Sequence, residues 1–312
     1  MRAIQRLGIG LAALGRPAYI NVGRTTELPS GRSVEQMRAA TWSVLDAAYG
    51  AGIRWVDVAR SYGRAEEFLS GWLAARHRED VTVSSKWGYT YVGEWRTDAP
   101  VHEVKEHGFD RYRTQYRETR ELLNGHLSVY QVHSLTESSP LFRDVRLQAA
   151  LAEAAAEGVR VGFSTSGPGQ ADTIRRAMAL EVSGHRLFST VQSTWNILET
   201  SAGDALREAH DAGLHVLVKE GLANGRLAVE PPMALRAMAA EHGVGPDALA
   251  LAAVLHRSWA DTVLIGAVSP AQLWTNLAAA DVSLGEEERE ALAGLSVPTE
   301  TYWVERSALP WT

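Results

Sequence analysis

Hydrophobic and polar positions along the chain follow two alternating patterns. Short apolar runs rich in β-branched residues recur, and the stretches between them repeat apolar residues at three- and four-residue spacing. The first pattern is typical of buried strands and the second of amphipathic helices. Counting an initial strand, the pattern predicts eight strands, at residues 7–11, 54–58, 81–85, 129–132, 160–163, 188–191, 215–218 and 263–265.

Helical stretches follow most of these strands. In the first one, Ser33 and Gln36 have the spacing of a capping box, in which each side chain binds the other residue's backbone N–H. Gly158 and Gly213 stand just before the next strand, where a helix typically ends on glycine. The predicted helices cover residues 33–49, 64–77, 113–124, 145–157, 170–180, 202–212, 246–258 and 270–280.

This alternation predicts a closed barrel. Strand, helix and strand in succession require parallel pairing through crossovers, and eight such units favour a (β/α)8 TIM barrel of the α/β class. An open doubly wound sheet is the competing topology, because periodicity alone does not separate the two. No shift in composition marks a linker, so we expect a single domain over residues 1–312.

Two segments depart from the alternation. A long loop after the third strand, at 87–112, has no clear period but is rich in aromatic residues, and the C-terminal tail at 296–312 carries Tyr302, Trp303 and Trp311. Irregular loops of this length are uncommon in compact domains and are usually functional. The aromatic residues either seal the ends of the barrel or line a ligand pocket, and the sequence leaves both interpretations open.

Composition excludes several classes of protein. The 312 residues are 46% hydrophobic, enough for a large core, and the formal net charge of −6 argues against a nucleic-acid partner. The absence of Cys excludes disulfides, thiolate nucleophiles and Cys-ligated zinc. No stretch has the length of a membrane span or the pattern of a signal peptide, so we expect a soluble, cytoplasmic protein without a membrane partner. Nothing in the sequence indicates an oligomeric state.

Ionisable residues gather where three consecutive strands end. Asp57 ends the second strand, Lys86 follows the third and His133 follows the fourth, and Tyr62 lies in the loop beyond Asp57. In a barrel these positions share the face that carries the active site. A lone lysine or histidine at a strand end is more often an edge or core residue. The convergence carries the argument, since buried Asp and Lys are rarely tolerated unless paired.

This set of side chains suits the chemistry of a carbonyl group. Asp57 would neutralise and position Lys86, and the ammonium group would favour the phenolate of Tyr62 and lower its pKa. His133 would donate a hydrogen bond to the substrate oxygen, and an oxyanion that develops on a carbonyl would be protonated. The accompanying hydride needs a nicotinamide cofactor, because no side chain supplies one.

The segments that carry these residues resemble aldo-keto reductases, and the resemblance extends along nearly the whole chain. They read GIRWVDVARSYG at 52–63, SSKWG at 84–88, VYQVH at 129–133, VGFS at 161–164, and VQ followed by WN within 191–196. The resemblance implies a general acid/base, a lysine that tunes its pKa, an acidic partner for that lysine and a residue that orients the carbonyl. These are Tyr62, Lys86, Asp57 and His133 in that order.

The resemblance also implies a cofactor bound across the mouth of the barrel. Ser164 and Gln192 match positions that bind the carboxamide, and the segment 264–276 matches the loop and helix on the adenosine side. The other expected cofactor residues are Leu222, Arg226, Gly266, Ala267, Ser269, Gln272 and Asn276.

The chain departs from the pattern of the family at this site. Lys219 stands where many members have an aromatic residue, and the basic residues that hold a 2′-phosphate in many members are missing around 266–272. Arg226 is the expected substitute for them, because arginine is the usual partner of a phosphate. We therefore expect NADP(H), with NAD(H) as the alternative cofactor.

The predicted function is an NADP-preferring oxidoreductase that interconverts an aldehyde or ketone and its alcohol by hydride transfer, with Tyr62 as general acid/base. Trp87, Tyr89 and Trp303 are the expected residues of the substrate pocket, and their rings favour a ringed small-molecule substrate. Two alternatives stay open. One is an NAD-dependent sugar or alcohol dehydrogenase that works in the oxidative direction, and the other is a non-catalytic, cofactor-binding regulatory member of the family.

A third hypothesis is an unrelated barrel enzyme, such as a metal-dependent hydrolase. It requires clustered ligands at the strand ends, and the sequence has no His-x-His pair there. His102, His107 and His126 are expected at the surface instead. We therefore expect no bound metal.

Overall fold

The computed structural model describes residues 3–23, 26–123 and 125–312. Eight parallel strands close into a barrel in which neighbours in sequence are also neighbours in space. The first strand pairs with the second, Gly10 beside Asp57, and with the eighth, Leu7 beside Val263. The strands are β1 (Leu7–Gly10), β2 (Trp55–Asp57), β3 (Thr82–Trp87), β4 (Leu127–Leu135), β5 (Arg160–Thr165), β6 (Thr190–Thr194), β7 (His215–Lys219) and β8 (Thr262–Ile265).

Pairing between β1 and β8 leaves no free edge in the sheet. The (β/α)8 barrel predicted from the sequence is therefore confirmed, and the open doubly wound sheet is excluded. All eight predicted strands lie within two or three residues of the observed bounds. The parallel direction also puts the carboxyl ends of all eight strands at one mouth of the barrel.

Helices surround the barrel and cover its apolar outer face. The predicted ones are found, with short additional helices after β7, before the tail and in the tail. They are α1 (Val34–Gly50), α2 (Ala65–Arg76), α3 (Phe109–Leu123), α4 (Val145–Ala156), α5 (Gln170–Met178), α6 (Gly203–Asp211), α7 (Arg226–Val229), α8 (Met233–Glu241), α9 (Pro246–Leu255), α10 (Pro270–Leu277), α11 (Glu286–Ala293) and α12 (Thr299–Ser307).

The start of α1 shows how local sequence sets these elements. The Ser33 hydroxyl accepts a hydrogen bond from the backbone N–H of Gln36, and the Gln36 side chain accepts one from the N–H of Ser33, which confirms the predicted capping box. Helix α4 ends just before Gly158, which has φ +94°, a conformation that costs glycine little. The buried face of α1 is the predicted one: Met37, Thr41, Val44, Leu45 and Ala48.

The two irregular segments contain short elements that the sequence pattern does not predict. After β3, residues Tyr89–Tyr91 pair with Glu103–Lys105 in a small antiparallel hairpin, and α3 begins at Phe109 rather than at 113. Residue 124, the last of the predicted helix 113–124, lies outside the described residues. In the tail, α12 is followed by Trp311, which forms a β-bridge with Ile20 at the mouth of the barrel. In the described part of the chain no helix is long and apolar enough to cross a bilayer.

Candidate active site

Asp57 and Lys86 form a buried ion pair inside the mouth of the barrel. They end β2 and lie near the end of β3, and their side chains are almost wholly buried. Lys86 Nζ donates to Asp57 Oδ2, and also to the carbonyl oxygen of Val58 at 3.1 Å. Asp57 Oδ1 accepts from Ser84 Oγ at 2.7 Å and from Gln192 Nε2 at 3.0 Å. The carboxylate is therefore fully engaged, as a buried charge requires.

Tyr62 is held above this pair by the loop that follows β2. The backbone N–H of Arg60 donates to the carbonyl of Lys86 at 3.0 Å, and the N–H of Tyr62 donates to the carbonyl of Ala59 at 3.0 Å. Lys86 Nζ lies 4.9 Å from the centroid of the Tyr62 ring. The loop thus brings the phenol and the ammonium group together, as the sequence predicts.

The expected direction of the Tyr62 pKa shift is not found. Burial, together with the negative charge of Asp57, raises the pKa of the Tyr62 phenol well above its ordinary value. The positive charge of Arg16 acts in the opposite direction on this pKa, but it does not outweigh burial and the charge of Asp57. In this state Tyr62 is a protonated phenol and thus a proton donor.

His133 faces the ring of Tyr62 from β4, which is separated from β2 by β3. The two ring centroids are 5.5 Å apart in an edge-to-face arrangement, and His133 Nδ1 lies 3.4 Å from Ser61 Oγ. Burial and the charge of Lys86 lower the pKa of His133 well below its ordinary value. The imidazole is therefore neutral, with one N–H to donate. It lies within β4 rather than after it, because β4 continues to Leu135.

A cavity leads from Asp57 and Tyr62 towards the N-terminal end of α10. Its wall includes the ends of β1, β7 and β8, the loop at 19–23 and residues 219–229. Six of the residues expected to bind the cofactor line it or its rim, from the strand ends to α10. They are Gln192, Leu222, Gly266, Ala267, Gln272 and Asn276.

Three other expected cofactor residues do not line this cavity. Ser164 accepts a hydrogen bond from the backbone N–H of Ser134 at 2.8 Å, beside His133. Ser269 caps α10 and donates to Glu27 Oε2 at 2.7 Å. Arg226 contacts Glu305 at 3.0 Å and stacks on Tyr302, which turns the guanidinium towards α12. The proposed phosphate contact of Arg226 would require this pairing to change.

Two buried amide oxygens in the cavity wall have no hydrogen-bond partner among the residues that the structure describes. They belong to Asn21, in the loop after β1, and Asn224, after β7. The Asn224 amide nitrogen is already used, since it donates to the carbonyl of Ile20 at 2.9 Å. Unpaired buried acceptors are costly, so they fit a ligand rich in hydroxyl or amino donors. The ribose hydroxyls and the adenine amino group of a dinucleotide are such donors.

The sequence profile of the aldo/keto reductase family matches residues 6–296, most of the chain. This chain belongs to the aldo/keto reductase family.

Solved structures of similar proteins agree with that assignment in fold. The holo form of an aldo-keto reductase from Bacillus halodurans has 20% sequence identity and a TM-score of 0.69, over 94% of this chain and 92% of that one. A protein assigned as a 2,5-diketo-D-gluconic acid reductase B has 21% identity and a TM-score of 0.65, over 95% and 89% of the two chains. A protein from Pseudomonas aeruginosa assigned as an aldo-keto reductase has 21% identity and a TM-score of 0.64, over 88% and 89%. We find no match among curated protein sequences.

The three expected substrate residues lie at different depths in this aldo/keto reductase. Trp87 is fully buried and packs edge-on against Tyr112 of α3. Trp303 is nearly buried in α12, against Tyr302. Tyr89 is half-buried, with its ring centroid 4.9 Å from that of His133. It also lines a second, more open cavity beside the active site.

Arg16 is the charged residue of this site that sequence reasoning missed. It is buried in the loop after β1, where its Nη1 donates to the carbonyl of Ser61 at 3.0 Å and to Glu103 of the hairpin at 2.6 Å. The guanidinium carbon lies 5.2 Å from the centroid of the Tyr62 ring and 4.9 Å from a ring centroid of Trp311. Arg16 thus joins the loop of Tyr62, the hairpin and the tail. In the sequence, the neighbouring Gly15 and Pro17 are the one sign of an unusual backbone at Arg16, and no motif includes this residue.

Two histidines expected at the surface are buried. His107 packs beneath the hairpin, where its Nε2 donates to the carbonyl of His133 at 2.8 Å and its Nδ1 lies 3.0 Å from Ser139 Oγ. His102 stacks on Trp311 with ring centroids 4.3 Å apart. The sequence prediction was wrong because both residues lie in the segment without periodicity, where burial depends on contacts that are distant along the chain.

Proposed function

We propose that this aldo/keto reductase is a nicotinamide-dependent oxidoreductase that interconverts a carbonyl compound and its alcohol. The observation that carries the proposal is the convergence of a protonated Tyr62 with the buried Asp57–Lys86 pair at the end of a long cavity. A phenol in this setting is suited to donate a proton to a carbonyl oxygen as negative charge develops there.

Each of the four residues would have its own role in the reduction. Tyr62 donates its proton to the carbonyl oxygen, and Lys86 beside the ring stabilises the phenolate that remains. Asp57 fixes the position of Lys86 through their hydrogen bond. His133 orients the substrate: Ser61 Oγ lies near Nδ1, which leaves Nε2–H to donate to the same carbonyl oxygen. A nicotinamide cofactor, when bound, would be the source of the hydride that the carbonyl carbon accepts.

The cofactor would occupy the cavity between Tyr62 and α10. The amide oxygens of Asn21 and Asn224 and the side chain of Gln192 are the groups of this chain that would hold it.

The charges in the cavity wall bear on the choice between the two cofactors. The sequence favours NADP(H), but the charges of the described residues of the wall favour NAD(H). Lys219 is the cation among the described wall residues, and it lies at the end with Tyr62, whereas Asp247 lies at the end with α10. Glu27 beside Ser269 adds a second carboxylate there, and carboxylates repel a 2′-phosphate. Titration of the protein with NADH and NADPH tests this, and tighter binding of NADPH would restore the preference expected from the sequence.

The test of the reaction is a turnover assay on a panel of aldehydes, ketones and sugars. Oxidation of the reduced cofactor should be followed at its nicotinamide absorbance band. We expect Tyr62→Phe to lower kcat by at least about a hundredfold, the usual contribution of a general acid. Phenylalanine keeps the ring, so binding of the cofactor should survive. Equal turnover by the variant and the original protein would contradict the proposed role of Tyr62.

A further inference from the structure

Lys219 is a partly buried cation in the wall of the cavity, and the reaction proposed above gives it no role. It ends β7, and its Nζ donates to Thr194 Oγ1 at 2.7 Å and lies 3.6 Å from Glu220 Oε1. The side chain lines the same cavity as Asp57, Tyr62 and Gln192. A lysine in this environment is rarely retained unless its charge is paired or used.

Glu220 does not neutralise Lys219 alone, because it is shared with a second cation. Both carboxylate oxygens of Glu220 accept hydrogen bonds from Arg306 of α12. Two cations thus face one carboxylate, and the cluster carries one net positive charge. The Asp57–Lys86 pair adds no net charge next to it.

The charge of Lys219 interacts electrostatically with the groups proposed to take part in the reaction. It contributes to the lowered pKa of His133, and the charge of Lys86 contributes to that of Lys219. The carbon that accepts the hydride is bonded to the oxygen that Tyr62 protonates. The ring that supplies the hydride must therefore lie in the part of the cavity that Lys219 also lines.

We propose that Lys219 makes the protein select the reduced, uncharged nicotinamide over the oxidised, cationic one. This inference rests on the proposed function and gives it a direction, from carbonyl to alcohol. The oxidised ring carries a positive charge and the reduced ring carries none, so a nearby ammonium group weakens binding of the oxidised form alone. Reduced cofactor is then bound more tightly than oxidised cofactor, which favours release of the oxidised form after the reaction.

Direct binding measurements test this without relying on turnover. The dissociation constants of NADH and NAD+, and of NADPH and NADP+, are measured by calorimetric titration at pH 7. Lys219→Met removes the charge and keeps most of the length of the side chain, whereas Lys219→Arg keeps the charge. Lys105→Met serves as a matched control, since Lys105 is an exposed lysine of the hairpin outside the wall of this cavity.

We expect Lys219→Met to reduce the preference for the reduced form by about tenfold, the order for two unit charges roughly 10 Å apart in a protein. Lys219→Arg and Lys105→Met should both keep the preference. An unchanged ratio of affinities in Lys219→Met would overturn the inference while leaving the proposed function intact. Binding of neither form by the original protein would instead refute the proposed function and, with it, this inference.

The pH dependence of the same ratio gives a second test, which needs no variant. Burial lowers the pKa of Lys219 to about 8. Between pH 7 and 9 the lysine therefore loses its charge, and the preference for the reduced form should decline.

The charged groups that face Lys219 from other elements should keep their state over this range. His133 on β4 has a pKa well below its ordinary value, Arg306 on α12 has a raised pKa, and Glu220 has a lowered one. Lys86 on β3 is engaged in its ion pair with Asp57. A ratio that is constant from pH 7 to 9 would contradict the role of Lys219.

Discussion

Lys86 and Asp57 depend on each other for burial. Their charges lie in the interior of the barrel, where an isolated ion costs several kcal/mol of desolvation. Each has its charge opposed by the other, and Ser84 and Gln192 supply the remaining hydrogen bonds to the carboxylate. The pair therefore fixes the lysine beneath Tyr62, but it need not make the fold more stable than an apolar pair would.

A stability measurement separates these two contributions. We expect Lys86→Met to lower the free energy of unfolding by about 3–5 kcal/mol, because Asp57 is left buried without its counter-charge. The double variant Asp57→Asn with Lys86→Met should recover much of this loss, and it should remain inactive. Denaturant unfolding and turnover assays of the three proteins measure both effects. Equal stability of the single and the double variant would contradict the idea that the unpaired charge of Asp57 causes the loss of stability.

At this scale the sequence predicts the residues that follow regular strands and misses those that come from irregular segments. The proximity of Asp57 and Lys86 can be predicted from the sequence, because both lie at strand ends and a parallel barrel brings such positions to one mouth. Arg16 belongs to a loop whose path depends on Glu103 and Trp311, far away along the chain. The burial of Trp87 is equally hard to predict, since the sequence does not indicate which face of the strand end α3 covers.

Helix α1 shows the extent to which an element can be derived from local sequence. Its capping residues, its buried face and its length are all predicted correctly, since they depend on neighbours within four residues. The hairpin after β3 and helix α12 are not predicted, because each is short and is stabilised by packing against the mouth of the barrel. Glu220 and Arg306, which hold α12 there, lie 86 residues apart.

The capping box of α1 provides a prediction at the level of the element. Ser33→Ala removes the acceptor for the N–H of Gln36, and it should lower the free energy of unfolding by about 1 kcal/mol. Ser43 lies exposed inside the same helix, where Ser43→Ala should be neutral or slightly stabilising. Thermal and denaturant unfolding of the two variants provide the comparison. Equal effects would mean that helix propensity, not capping, accounts for the change.

Closure of the barrel is the property of the whole molecule that the sequence predicts best. Eight repeats of strand and helix allow few other arrangements, and the fold follows from their number and spacing. The buried polar groups around the mouth are less predictable, because they depend on how the loops fold over one another. The single domain over residues 1–312 and the cytoplasmic location stay predictions.

Buried neutral histidines make the stability of the whole molecule sensitive to acid. Burial lowers the pKa of His107 to about 4, below the value of about 6.5 in an unfolded chain. Between these two pKa values, His107 is protonated in the unfolded state and neutral in the folded state. The stability that this group contributes is fully present above pH 6.5 and is lost as the pH falls towards about 4, by up to about 3 kcal/mol.

Denaturant unfolding at pH 7, 6 and 5 measures this loss. His107→Gln can keep the hydrogen bonds to His133 and Ser139 but does not titrate, so its stability should fall less steeply over this range. The same slope in both proteins would assign the loss to other groups.

In the proposed reaction a hydride reaches a carbonyl carbon in this cavity while Tyr62 protonates the oxygen. The most direct measurement follows the hydride itself, with reduced cofactor that carries deuterium at both positions on C4 of the nicotinamide ring. We predict that the original protein forms alcohol with one deuterium on the former carbonyl carbon, and that Tyr62→Phe binds the cofactor but forms almost no labelled alcohol. Unlabelled product, or equal labelling rates in the two proteins, would contradict the account.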